Sequence, residues 1–251
     1  MQIVFDFDGV LINSVREVAI SAWNAVSSEK RFHLEDLPEH YLKLFLRHRH
    51  HVQPAGDFLP FASWCKSQSA SEGAALPDLT PQEFAEVVAG DSRPRHARTR
   101  LFFASRRELM AHDLGYWLSL HMPYQPLWNT LREHPPARFV IVTNKNRSAV
   151  LELCSHFSLD TSSLELFSGD DGASKTANLA AALQNASQMS SLFLDDSINN
   201  LKELADAKLP NVELCLADWG YVGPEDISRA GSLGLAVRNQ DEICKLLRHP
   251  E

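Results

Sequence analysis

The stretch Gln2-Ile3-Val4-Phe5-Asp6-Phe7-Asp8-Gly9-Val10-Leu11 is an apolar run that empties into two acids and a glycine. The apolar run Ile3-Val4-Phe5 reads as a strand whose tip carries the two acids. Side chains alternate along a strand, so Asp6 and Asp8 are expected on one side and Phe7 on the other. At the carboxyl end of a parallel strand this puts both acids in the crevice where open α/β sheets bind ligands. Gly9 allows a sharp turn without a Cβ penalty. Two carboxylates this close repel unless a cation or a shared proton separates them, so the stretch asks for a metal.

Working outward, Ser14 and Glu17 have the spacing of a capping box, and a helix is expected through Ala22, Trp23 and Val26. From Arg16 to about His121 apolar residues recur at helical spacing. Phe58, Phe61, Ala62 and Cys65 fall at i, i+3, i+4 and i+7, and Thr80-Pro81-Gln82-Glu83 is a second capping box with proline at the first helical position. Phe102, Leu109, Met110, Leu114, Trp117 and Leu118 predict one face of a long helix running into His121. Ser67 to Pro77, rich in Ser, Ala and Gly, reads as a surface loop.

Beyond Pro123 the rhythm changes to short apolar runs alternating with amphipathic helices. Strands are expected at Arg138 to Thr143, Leu164 to Ser168, Ser191 to Asp195, Val212 to Ala217 and Gly234 to Val237, with helices at Asn146 to His156, Ser174 to Gln184 and Ser197 to Ala207. That alternation predicts a parallel sheet wrapped by helices. The first strand needs sheet neighbours, and only this later part offers them. The fold class expected is therefore α/β, a Rossmann-like parallel sheet with helices on both faces and an inserted all-helical domain. Residues 1–14 and 124–251 form the core and 15–123 the insert, far longer than an ordinary connection. An insert that leaves and returns at the active edge is well placed to act as a cap.

Composition narrows the function. The 251 residues are 44% hydrophobic and 22% charged, with net charge -8, which argues against a nucleic-acid partner and for a metabolite-facing protein. Cys65, Cys154, Cys215 and Cys244 are widely spaced with no ligand-like pattern, and read as reduced thiols of a cytoplasmic protein. No apolar run approaches membrane-spanning length, and the N-terminal run meets an acid too soon for a signal peptide.

Three later strand ends also finish in polar residues suited to a phosphate. Phe139 to Val142 delivers Thr143 and Asn144 beside a helix start, where free N–H groups favour an anion. Lys175 opens the helix after the strand that ends near Ser168, and Leu192-Phe193-Leu194 delivers Asp195-Asp196, followed by Ser197 and Asn200. Each has a plainer reading: Thr143 and Asn144 as helix caps, Lys175 as a solvated first-turn lysine, Ser197 as an N-cap. A lysine in the first turn opposes the helix dipole, however, and gains from an anion in front of it.

Taken together, Asp6-Phe7-Asp8-Gly9, Thr143-Asn144, Lys175 and Asp195-Asp196 resemble, in order, the four motifs of the haloacid dehalogenase superfamily of phosphohydrolases. The helical segment resembles that family's cap in position and helicity, and Ala217-Asp218-Trp219-Gly220-Tyr221 is similar to phosphoglycolate phosphatase-like members. The resemblance implies that Asp6 is a nucleophile forming an aspartyl-phosphate, and that Asp8 protonates the leaving alcohol and then takes a proton from water. It also implies Mg²⁺ held by Asp6, the Asp8 carbonyl and Asp196, with Asp195 a further candidate ligand. Thr143 and Asn144 would hold phosphoryl oxygens, and Lys175 would neutralise nucleophile and transferring group. The chain departs from many members in carrying Asp195-Asp196 where they have Gly-Asp, and Asn200 and Asn13 where they have Asp.

Substrate recognition is expected on the cap. Arg47-His48-Arg49-His50-His51 is the densest basic cluster, making Arg47 and Arg49 candidates to read a carboxylate or second phosphate; Arg93 to Arg100 and Lys145 compete for that role. The expectation is a Mg²⁺-dependent phosphatase of a small phosphorylated metabolite, monomeric or homodimeric. The alternatives are a phosphomutase on the same core, or a non-catalytic phospho-acceptor or binding protein. A receiver domain is disfavoured because its first strand is not followed by a large insert.

Overall fold

The computed structural model describes residues 1–68, 75–135, 139–171, 174–185 and 190–249. The chain divides into two compact units, residues 1–13 with 122–249 and residues 14–121.

The first unit is built on a six-stranded parallel sheet. Its strands are β1 (Gln2–Phe5), β4 (Phe139–Val142), β5 (Glu165–Phe167), β6 (Ser191–Asp195), β7 (Val212–Ala217) and β8 (Ala236–Arg238), in the order β5-β4-β1-β6-β7-β8. Ile3 pairs with Phe139 on one side and Leu192 on the other, so the first strand made becomes a central strand. The order reverses direction at β1, which makes its carboxyl end the topological switch point. Val4, Val140, Phe193 and Leu216 share one face with Leu179, Leu201, Leu204 and Ala230 from the flanking helices α9 (Lys175–Asn185), α10 (Ile198–Ala207) and α11 (Asp226–Ser232). The alternate residues Ile3, Phe5, Ile141, Leu192 and Leu194 are buried too. Burial on both faces is why these strands read as unbroken apolar runs. Helices α7 (Gln125–Arg132), α8 (Arg147–His156) and α12 (Gln240–Arg248) complete this unit. A short antiparallel ribbon, β2 (Ile12–Asn13) with β3 (Met122–Pro123), closes it where the chain leaves and returns.

Of the five later strands expected, Ser191 to Asp195 and Val212 to Ala217 appear with those bounds, and the others are shorter or displaced by one or two residues. Arg138, expected to start a strand, lies outside the described residues, as do residues 69–74 of the expected loop.

The second unit holds α1 (Val15–Val26), α2 (Glu39–His48), α3 (Phe58–Ser67), α4 (Pro81–Ala89), α5 (Arg95–His112) and α6 (Leu114–Ser119), and its described residues contain no strand. The Thr80 to Glu83 capping box forms in both directions, Thr80 Oγ1 accepting from the Glu83 N–H and Glu83 from the Thr80 N–H. Two expectations fail here. The capping box at Ser14 and Glu17 is absent, because the Glu17 carboxylate is buried and taken by the Arg106 guanidinium at 2.8 and 3.1 Å and by Ser21 Oγ at 2.7 Å. A charge-assisted bidentate pair outcompetes one backbone N–H. The long helix into His121 is also broken: Asp113 is extended and caps α6 by accepting from the Tyr116 N–H at 2.8 Å. The apolar stripe continues through the break, and a stripe alone does not report a change of helix.

Candidate active site

Strand β1 ends at Phe5, so Asp6, Phe7 and Asp8 lie beyond it in a turn closed by Leu11 and Ile12 N–H groups donating to the Phe7 carbonyl. Gly9 sits at φ +87°, the left-handed region that glycine enters freely. The two acids take different lysine partners. Asp6 accepts from Lys175 Nζ at 2.9 Å, whereas Asp8 accepts from Lys145 Nζ at 2.9 and 3.3 Å.

Lys175, at the first position of α9, bridges Asp6 and Asp195, the latter at 2.6 Å. Burial pushes the Lys175 ammonium down, but the adjacent Asp195 and Asp6 more than offset this and hold it well above the usual lysine range. Asp195 is fully buried and receives the Ser197 N–H at 2.9 Å and Asn200 Nδ2 at 3.3 and 3.2 Å. The departure to Asn at position 200 thus has a local reason: an amide donates to Asp195 where a second acid would repel it. Ser197 is the N-cap of α10, as its plainer reading expected, its hydroxyl accepting from the Asn200 N–H.

Asp196 is held by the chain's later part. Its Oδ2 accepts from the Tyr221 N–H at 2.7 Å. A Cβ on Gly9 would collide with this carboxylate, and one on Gly220 would collide with the Asp196 Cβ and the Gly9 carbonyl oxygen. Trp219 Nε1 donates to the Val10 carbonyl and the Tyr221 hydroxyl to Asn13 Oδ1. Gly220 and Tyr221 hold Asp196 in place, and the Trp-Gly-Tyr run after an apolar strand is the sequence feature that marks them.

The loop after β4 supplies the other side. Thr143 is buried, and its Oγ1 accepts from the Lys145 N–H at 3.1 Å; Asn144 is exposed. Gly169 comes so close that a Cβ would meet the Asn144 carbonyl oxygen, and its N–H donates to the Lys145 carbonyl. The Lys145 side chain is wholly covered.

Four carboxylates (Asp6, Asp8, Asp195, Asp196) therefore face two ammonium groups, leaving two negative charges. Asp6, Asp195 and Asp196 each offer an oxygen within 4.8 Å of the others, and Asp6 Oδ1 is buried without a hydrogen-bond partner. Burial, opposed by Lys175 and reinforced by Asp195, lifts the Asp6 carboxyl to about 6. An all-oxygen donor set with excess negative charge and an unsatisfied buried oxygen fits a hard divalent cation such as Mg²⁺.

The fold that carries these residues is similar to that of several solved structures. A predicted phosphoglycolate phosphatase from Haemophilus somnus superimposes with a TM-score of 0.60 at 20% identity, covering 98% of this chain and 96% of that one. A predicted phosphatase from Clostridium acetobutylicum gives 0.58 at 16% identity, covering 98% and 97%. A haloacid dehalogenase (HAD) superfamily hydrolase of subfamily IA from Geobacter sulfurreducens gives 0.51 at 17%, covering 98% and 95%. The fold is that of the HAD hydrolases. No family model and no curated protein sequence matches the chain.

On the HAD fold the helical unit supplies the basic residues expected to read substrate, and most of them have partners inside that unit. Arg47 is half exposed and 3.3 Å from Asp78; Arg49 donates to the Val52 carbonyl at 2.6 Å and lies over the Phe58 ring. In the competing stretch Arg93 pairs with Asp91 and Arg98 with buried Asp57.

Proposed function

We propose that this chain is a Mg²⁺-dependent phosphatase of a small phosphorylated metabolite, working through an aspartyl-phosphate on Asp6. The observation that carries this reading is the Asp6 carboxylate, buried, with one oxygen on Lys175 and the other unsatisfied beside Asp196. Asp6, Asp196 and the Asp8 carbonyl would hold the cation, which when bound supplies the positive charge that lets an anionic nucleophile approach an anionic ester. Asp195, whose oxygens already receive Lys175, Asn200 and the Ser197 N–H, serves chiefly to fix Lys175.

In the first half reaction an Asp6 oxygen attacks phosphorus and the P–O bond to the alcohol breaks, its electron pair leaving on oxygen, which takes a proton from the Asp8 carboxylic acid. In the second, Asp8 removes a proton from water as its oxygen attacks phosphorus. The Asp6–phosphorus bond then breaks, restoring the carboxylate and releasing phosphate. Thr143, Asn144 and Lys175 steady the phosphoryl oxygens, and residues of the helical unit select the ester.

Phosphate release from an aryl phosphate and from a panel of phosphorylated metabolites, with Mg²⁺ or with EDTA, tests the reading. The wild type should be active only with the cation, and Asp6→Asn should lose at least about a thousandfold, as expected for a nucleophile. Equal release by wild type and variant across the panel would refute it.

A further inference from the structure

Lys145 was a candidate to contact substrate, yet its side chain is wholly covered and its ammonium donates to both oxygens of Asp8. An incoming phosphate cannot reach that ammonium without displacing what covers it. Asp8 itself is a partly exposed side chain in a turn beyond the strand. The backbone of Lys145 is tied on both sides, its N–H donating to Thr143 Oγ1 and its carbonyl accepting from the Gly169 N–H at 3.3 Å. The residue thus links the threonine assigned to the phosphoryl oxygens to the acid assigned to the leaving oxygen.

We propose that Lys145 is a positioning residue that fixes the Asp8 carboxyl group relative to the phosphoryl site, so that proton delivery to the leaving alcohol depends on it. The inference rests on the phosphatase reading. It differs from a substrate-binding role, which would appear in KM, and from a structural role, which would depress every substrate alike. Asp8 can be hydrated from solvent when its lysine is removed, so a neutral residue of similar length is tolerated at position 145.

The test measures kcat and KM separately, with saturating Mg²⁺, for an alkyl phosphate, a phenyl phosphate and a dinitrophenyl phosphate, whose leaving group departs without a proton. The chains compared are wild type, Lys145→Met, Asp8→Asn and the double variant. A general acid contributes roughly 10²–10⁴-fold. Lys145→Met should therefore lose about a hundredfold on the alkyl ester and less than about tenfold on the dinitrophenyl ester, following the order shown by Asp8→Asn. The double variant should be no worse than Asp8→Asn alone. Lys145→Gln, which keeps one donor, should recover part of the alkyl activity. Uniform loss across the esters, a change confined to KM, or multiplicative losses in the double variant would overturn the proposal while leaving the phosphatase reading intact. Failure of both Lys145 variants to fold, seen by far-UV circular dichroism, would overturn it too, by making Lys145 structural. A wild type that releases no phosphate from any ester would instead defeat the reading on which it rests.

Discussion

Replacing Lys175 by methionine removes the ammonium that Asp6 and Asp195 share, at 2.9 and 2.6 Å, from a place where both acids are buried. Taking one partner from a buried ion pair costs about 3–5 kcal/mol, because the remaining charge has lost water and gained nothing. Two features soften the loss. Asp195 keeps its donors from Ser197 and Asn200, and Asp6 can take up a proton. With the lysine present, burial already lifts Asp6 from 3.8 to about 6, against the pull of Lys175. Without that pull it rises further.

A carboxyl whose pKa is raised in the folded state carries no penalty below its unfolded value, loses about 1.4 kcal/mol of stability per pH unit between the unfolded and folded values, and bears the full cost above the folded one. In EDTA the variant should therefore lose about 1–2 kcal/mol at pH ~5, where Asp6 carries a proton, and the full amount at pH ~8. For a chain of this size 1 kcal/mol moves Tm by about 2–4 °C, so the deficit at the higher pH should be roughly 10 °C. Thermal melts of both proteins at the two pH values decide it. An equal deficit at both, or one under about 3 °C at the higher pH, would refute the view that Lys175 compensates two buried charges.

Gly220→Ala brings a Cβ within 3.0 Å of the Asp196 side chain and the Gly9 carbonyl. It should cost about 1–3 kcal/mol in urea unfolding and weaken Mg²⁺ binding, read by titration calorimetry, by at least about tenfold. Gly231→Ala meets nothing within 4 Å and lies in α11, so it should add up to about 1 kcal/mol and leave Mg²⁺ affinity unchanged. In the helical unit, Arg106→Met strands the buried Glu17 carboxylate and should cost about 3–5 kcal/mol, most of which a second change, Glu17→Met, should return. Denaturant unfolding of the single and double variants checks this.

The sheet was legible because burial on both faces leaves no polar residue inside β1, β4 or β6, and because each run ends where the chemistry begins. Asp6, Thr143, Lys175 and Asp195 were legible as a set for the same reason, each standing one step past an apolar run or at a helix start. Lys175 was expected to neutralise Asp6, whereas the pairing of Lys145 with Asp8 was hidden. Lys145 and Asp8 are far apart in the chain, and only the parallel pairing of β1 with β4 brings their loops together. Arg47 and Arg98 looked open to ligand because their acids, Asp78 and Asp57, lie distant in sequence.

The central place of β1 also has a temporal side. This strand is the first made, but its neighbour β4 follows about 135 residues later and β6 about 190. At a synthesis rate of roughly 5–20 residues per second, Ile3, Val4 and Phe5 wait roughly ten to forty seconds for their second partner. During that interval β1 is an apolar segment lacking at least one of its sheet neighbours, while residues 14–121 are already made. The site therefore cannot be assembled piecemeal. It comes together late, after β6 and then the Gly220-Tyr221 turn that holds Asp196, and a chain that stalls before β6 presents an apolar strand without its second neighbour.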